Sequence, residues 1–204
     1  MMQSHPSRLP LYAFIFFVAI MAALPAEAHL NTTGMGPVYD GLMHFLMSPE
    51  DFIPVLALAF LAGLRGAAHG RRALFTIPTA WFLGGLTGLS AVAARPHPFI
   101  AAGWFLLLGV LLAANARISL QVVTGIAALL GIYHGYLNGT GMGTSTDAAI
   151  ALLGLVFGVF VLVALAAAFV VRLRAEWARI AVRVAGSWIA ASGLLMLGWA
   201  VRAR

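Results

Sequence analysis

The chain has no cysteine and no lysine, and charge of either sign is scarce. Without cysteine it can build neither a disulfide nor a thiolate metal site. Charged residues make up 9% of its 204 residues and hydrophobic ones 62%, where a soluble domain carries about 25% charged. The mean hydropathy is +0.99. A soluble globule of that composition could not cover its surface with polar groups. A soluble enzyme and a disordered chain are both excluded. There is no Walker A sequence, no H-E-x-x-H and no G-x-S-x-G, so neither an ATP-driven pump nor a familiar hydrolase is encoded. All twelve basic residues are arginine, and the net charge is +6. They sit in short clusters between apolar runs rather than along one face, which argues against nucleic acid.

What remains is an all-α polytopic membrane helical bundle. Residues 1–28 read as a signal peptide: Arg8 supplies the positive start, 9–24 is apolar, and Ala26-Glu27-Ala28 follows the Pro25 break as a cleavage site. Residues 29–204 then form a single six-helix transmembrane domain. Its runs fall near 52–70, 73–94, 97–115, 118–137, 147–171 and 180–201, each about 20 residues, enough to cross a hydrocarbon core. Barrel strands would alternate over about 10 residues instead. Pro54 and Pro78 lie inside spans, where packed neighbours tolerate them. Gly84/Gly88, Gly131/Gly135 and Gly154/Gly158 repeat at the spacing that lets helix backbones approach.

Orientation follows from the arginines. With the mature N-terminus outside, eight (Arg65, Arg71, Arg72, Arg117, Arg172, Arg174, Arg179, Arg183) fall inside and three (Arg95, Arg202, Arg204) outside. That distribution predicts a bacterial inner-membrane protein with both termini periplasmic. Of the five acids left after cleavage, Asp40, Glu50, Asp51 and Asp147 fall on the outer side and Glu176 inside. An acidic mouth concentrates cations; ordinary solvation of loops would give the same bias. Segments 30–40 and 137–147 also match at seven of eleven positions. Paired loops on one face suit an internal repeat around a site, and glycine-rich coincidence is the alternative.

The chemistry-bearing residues cluster there. Helical spacing puts Asp40 with His44 on one face, and His134 with Asn138 on another. Imidazole suits nickel, cobalt, copper and zinc, and carboxylates complete such a site. Each has a plainer reading. Ser48-Pro49-Glu50-Asp51 has the order of a helix start. His134 between Tyr133 and Tyr136 suits an aromatic belt. His44 beside Asp40 suits a structural pair. His29, at the expected mature terminus, offers an amine and an imidazole, or a mobile end. His69 reads as a loop residue and His97 as an outer turn.

Gly41-Leu42-Met43-His44 resembles the start of the first-span motif G-x-x-H-P-x-x-G-x-D-H of the HupE/UreJ family, membrane proteins accompanying hydrogenase and urease. Glu50 stands at that motif's Asp and Asp51 at its second His. His134-Gly135-Tyr136-Leu137-Asn138-Gly139 resembles the family's H-G-x-x-H-G, with Asn138 at the second His. The resemblance implies a nickel or cobalt permease with a signal peptide and six spans. Two of four motif histidines are replaced and Phe45 stands where the family has Pro, so the site should be harder and weaker. Weak binding suits an ion that must leave.

Together these features predict a permease that moves a divalent metal ion, nickel or cobalt first, from the periplasm inward. His44, Asp51 and His134 would be the main ligands, assisted by Asp40, Glu50 and Asn138. The expected partners are the lipid bilayer and the metal ion, with no nucleic acid and no prosthetic group; a homo-oligomer or metalloenzyme-maturation proteins are compatible. The alternative is a non-transporting scaffold for metalloenzyme assembly. Polar groups that continue inward from the site would favour the permease and a dry core the scaffold.

Overall fold

The computed structural model describes residues 33–203. The expected signal peptide and His29 lie outside them. Among the described residues the chain is all helix, with no strand: α1 (Pro37–Met47), α2 (Pro49–Arg65), α3 (Ala67–Leu89), α4 (Pro98–Ala113), α5 (Leu120–Met142), α6 (Thr146–Arg172) and α7 (Glu176–Arg202).

The helix boundaries have local causes. α1, α2 and α4 each begin with proline in the first turn, where its missing N–H costs nothing and its φ is already helical. The Ser119 hydroxyl accepts from the Val122 N–H at the start of α5, and the Ser145 hydroxyl from the Ala148 N–H at the start of α6. Between α2 and α3 the chain turns at Gly66, with φ 110° and ψ 178°, a conformation open essentially to glycine alone. This corrects the boundary expected from hydropathy. The apolar character runs on through Ala67 and Ala68, but the helix stops at Arg65, and α3 already contains His69, Arg71 and Arg72. His69 is therefore a half-buried helical residue, not a loop one. Pro54 and Pro78 are buried inside continuous helices, as packed neighbours permit.

Three helices, α5, α6 and α7, are long and apolar enough to cross a membrane. α1 and α2, bent 74° against each other, make a fourth crossing when counted as one broken span. α4 is apolar but has 16 residues, about 24 Å of helix against about 30 Å of hydrocarbon. α3 has 23 residues, but its arginines, glycines and threonines dilute its hydropathy. On α7, Trp177 and Trp199 are both exposed near opposite ends, about 33 Å apart along the axis. That separation suits the two aromatic belts of a bilayer.

α2 is the central element and touches every other helix. Its sequence is apolar on all sides, and Val55, Leu58, Leu61 and Leu64 are buried along with its alanines, as expected of a helix with no solvent face. Around it, α3 pairs most extensively with α5, and α4 with α7. Small residues make both seams. A Cβ on Gly84 or Gly88 would overlap the Ile132 or Tyr136 carbonyl, and one on Gly135 or Gly139 the Trp81 or Gly85 carbonyl. Gly109 on α4 meets Ala190, while Gly186 and Gly193 on α7 meet the α4 backbone at Ala113 and Leu106. Without a hydrophobic driving force in lipid, this close backbone contact is what holds such helices together.

Candidate functional site

The α3–α5 seam delivers His134 to the first turn of α2. Asp51 is the third residue of α2 and lies 4% exposed; His134 is 3% exposed and Asn138, one turn further along α5, 8%. Asp51 Oδ1 is 2.7 Å from His134 Nδ1. Asn138 donates through Nδ2 to Asp51 Oδ2 at 2.9 Å and to its own helix at the His134 carbonyl, also 2.9 Å. Both oxygens of the carboxylate are thus engaged. Because both partners of Nδ2 are acceptors, the amide orientation is fixed by chemistry.

The helix start at Ser48 falls where the sequence order predicts, but the Ser48 side chain makes no cap hydrogen bond. Asp51 does not cap α2 either; it reaches into the core. With Asp51 as a carboxylate, which only accepts, His134 Nδ1 carries the proton and donates. Nε2 is left buried without a partner, and so is Asn138 Oδ1. A carboxylate on one ring nitrogen fixes the tautomer and the ring's orientation, the arrangement that orients metal-binding histidines.

Aromatic rings enclose the imidazole. Trp81, fully buried on α3, stacks on it at 5.5 Å and 28°. Tyr133 stands edge-on at 5.1 Å, Trp104 of α4 lies tilted at 6.3 Å, and Phe45 of α1 meets Trp81 edge-on. His134 is therefore a buried core residue rather than a belt residue. Neither Trp81 nor Trp104 stands in a motif that marks it in the sequence. The signal within reach was the recurrence of small residues on both helices: Gly135 of α5 packs against the Trp81 backbone, which sets the indole across from His134.

The structure brings together Asp51, His134 and Asn138. It does not join the other three expected ligands to them. Asp40 and His44 share α1, but Asp40 accepts from the Thr33 N–H at 2.5 Å and the Thr33 hydroxyl at 2.6 Å instead of pairing with His44. Glu50 is half-buried in the first turn of α2. Among the described residues no group of three or more His, Asp or Glu side chains is placed to hold a metal ion.

From the trio along α2 toward Arg65 the core is apolar: Leu58, Leu61, Ile77, Leu112 and Leu130 are fully buried. Thr87, Thr124, Ser187 and Ser192 spend their hydroxyls on carbonyls of their own helices. At the far end of α2, about 21 Å from Asp51, arginines gather. Arg65 donates to Asn115, Arg179 to the Leu64 carbonyl and Arg183 to the Ala113 carbonyl.

The helices, their lipid-suited surfaces and the buried carboxylate–imidazole–amide trio define a polytopic α-helical membrane protein. The family model described as "HupE / UreJ protein" matches residues 17–196, and the chain belongs to the HupE/UreJ family. It is 23% identical over 190 residues to Protein HupE of Rhizobium leguminosarum bv. viciae, covering 91% of this chain and 98% of that protein. No solved structure matches it.

Proposed function

We propose that the chain is an inner-membrane permease for a divalent transition-metal cation, nickel or cobalt first, captured from the periplasm. The observation that carries this reading is the buried His134, bonded to Asp51 through Nδ1 and free at Nε2. His134 Nε2 is the first ligand, Asn138 Oδ1 a weak second, and Asp51 orients the imidazole and supplies the charge that favours a cation. The incoming ion brings waters or recruits His44 or Glu50 when α1 moves on its 74° bend. In this reading residues 1–28 are removed as a signal peptide, and α3, α4 and the α1–α2 unit complete six crossings. The arginine-rich end faces the cytoplasm, in keeping with the positive-inside bias. The membrane potential draws the ion inward at about 2.3 kcal/mol per charge per 100 mV.

A second reading has its own support: the apolar core below the trio and the arginines at the inner end suit a scaffold for metalloenzyme assembly that binds an ion without passing it. In the permease reading these leucines form the closed gate of an outward-facing state.

Equilibrium dialysis of the purified protein against nickel and cobalt tests the capture site. One ion per chain is expected, with histidine nitrogen in its X-ray absorption spectrum. His134→Asn should lose it, since that side chain can still donate to Asp51 but offers no imidazole Nε2. Unchanged binding in that variant overturns the site; binding without uptake in cells selects the scaffold.

A further inference from the structure

A groove of about 740 Å³ runs between α3 and α5 on the surface suited to lipid. Its floor and walls are apolar or small, with Phe75, Leu83, Ala128 and Ile132 along it, and Arg71 and Arg72 stand at its mouth. Both arginines are exposed, and among the described residues neither makes an ion pair or hydrogen bond. From Arg72 to Leu83 the helix rises about 16 Å, close to half of the roughly 30 Å hydrocarbon thickness. The groove therefore has the depth of one leaflet, with its charge at the headgroup level. Arg71 also borders a second groove, of about 260 Å³, on the other flank of α3 against α6, where Arg172 joins it.

We propose that this is a binding site for an anionic phospholipid of the surrounding bilayer. The phosphate sits on Arg71 and Arg72, one acyl chain fills the α3–α5 groove, and the second follows the α3–α6 groove. Three features select an anionic lipid over a zwitterionic one: two unpaired guanidiniums side by side, a third bordering the second groove, and no carboxylate lining either groove. Basic pockets between transmembrane helices take anionic headgroups for this reason, and guanidinium matches phosphate geometry bidentately. Because α3 carries Trp81 against His134, a lipid here braces the helix that encloses the trio. The inference needs only that the chain lies in a membrane and does not rest on metal transport.

The test is native mass spectrometry of the full-length protein in nonionic detergent, titrated with phosphatidylglycerol, with phosphatidylcholine of the same acyl chains, and with glycerol 3-phosphate. Wild type should bind phosphatidylglycerol at least tenfold more tightly than phosphatidylcholine. Arg71→Gln/Arg72→Gln should weaken phosphatidylglycerol by about thirty-fold, while Arg71→Lys/Arg72→Lys and Arg174→Gln keep most of the affinity. Leu83→Trp, which fills the groove and leaves both arginines, should also weaken it. Equal affinity for the two lipids, or full retention in the double Gln variant, overturns the proposal. So does saturation by glycerol 3-phosphate as tight as by the whole lipid, which would make this a free-phosphate site.

Discussion

The Asp51–His134 contact makes a quantitative demand. His134→Phe removes the imidazole and leaves a buried carboxylate with Asn138 as its one remaining partner. Breaking a buried charged pair from one side costs about 3–5 kcal/mol. Asp51→Leu leaves two donors unsatisfied, His134 Nδ1–H and one Asn138 N–H, at about 1–3 kcal/mol each. Taken separately the two changes should sum to about 5–11 kcal/mol. The double variant has no buried charge and one orphaned Asn138 N–H, so its cost should be about 1–3 kcal/mol. A coupling of at least about 2 kcal/mol follows. Equilibrium unfolding in mixed detergent micelles, followed by tryptophan fluorescence, measures it; Trp81 stacked on His134 is a built-in reporter. Additivity to within about 0.5 kcal/mol would show that the two groups do not act on each other and would refute the trio.

Other consequences can be read out the same way. Gly135→Ala drives a Cβ into the Trp81 carbonyl and should cost about 3 kcal/mol, whereas Gly125→Ala on the same helix meets open space and should be neutral or stabilising by up to about 1 kcal/mol. Asn115 has φ 50° and accepts a hydrogen bond from Arg65. Asn115→Ala should therefore lose about 1–2 kcal/mol more in unfolding than Asn115→Gly, because glycine alone keeps the left-handed backbone without strain. The absence of native cysteine makes topology testable with single introduced thiols. A membrane-impermeant maleimide should label Asp147→Cys in intact spheroplasts and Arg174→Cys only after permeabilisation; the reverse pattern inverts the orientation.

Much of this architecture was legible in the residues, and the misses have physical causes. Long apolar runs located α4 to α7 to within about five residues at either end, because in lipid the backbone must be satisfied within each helix. The break at Gly66 escaped, since hydropathy is blind to φ and alanines on its far side resemble a continuing span. Spacing placed His134 and Asn138 on one face of α5. Spacing alone did not bring Asp51, at the start of a different helix, to that face; the family motifs named it beside His134, and only the fold shows it turned from capping into the core. That depends on the three-dimensional register of the α3–α5 seam against α2. For the same reason the acidic residues of the outer side looked like one cluster, while Asp40 is held by Thr33 and only Asp51 enters the trio.

In the proposed function a divalent metal ion enters through His134. Uptake of radiolabelled nickel and cobalt in cells expressing the chain tests it most directly, at matched membrane levels of wild type and His134→Asn. Uptake above the empty-vector background is expected for wild type, lost when a proton uncoupler collapses the membrane potential, and reduced at least tenfold in His134→Asn. Uptake by His134→Asn equal to wild type would contradict the site, and no uptake by wild type of either metal would contradict the permease.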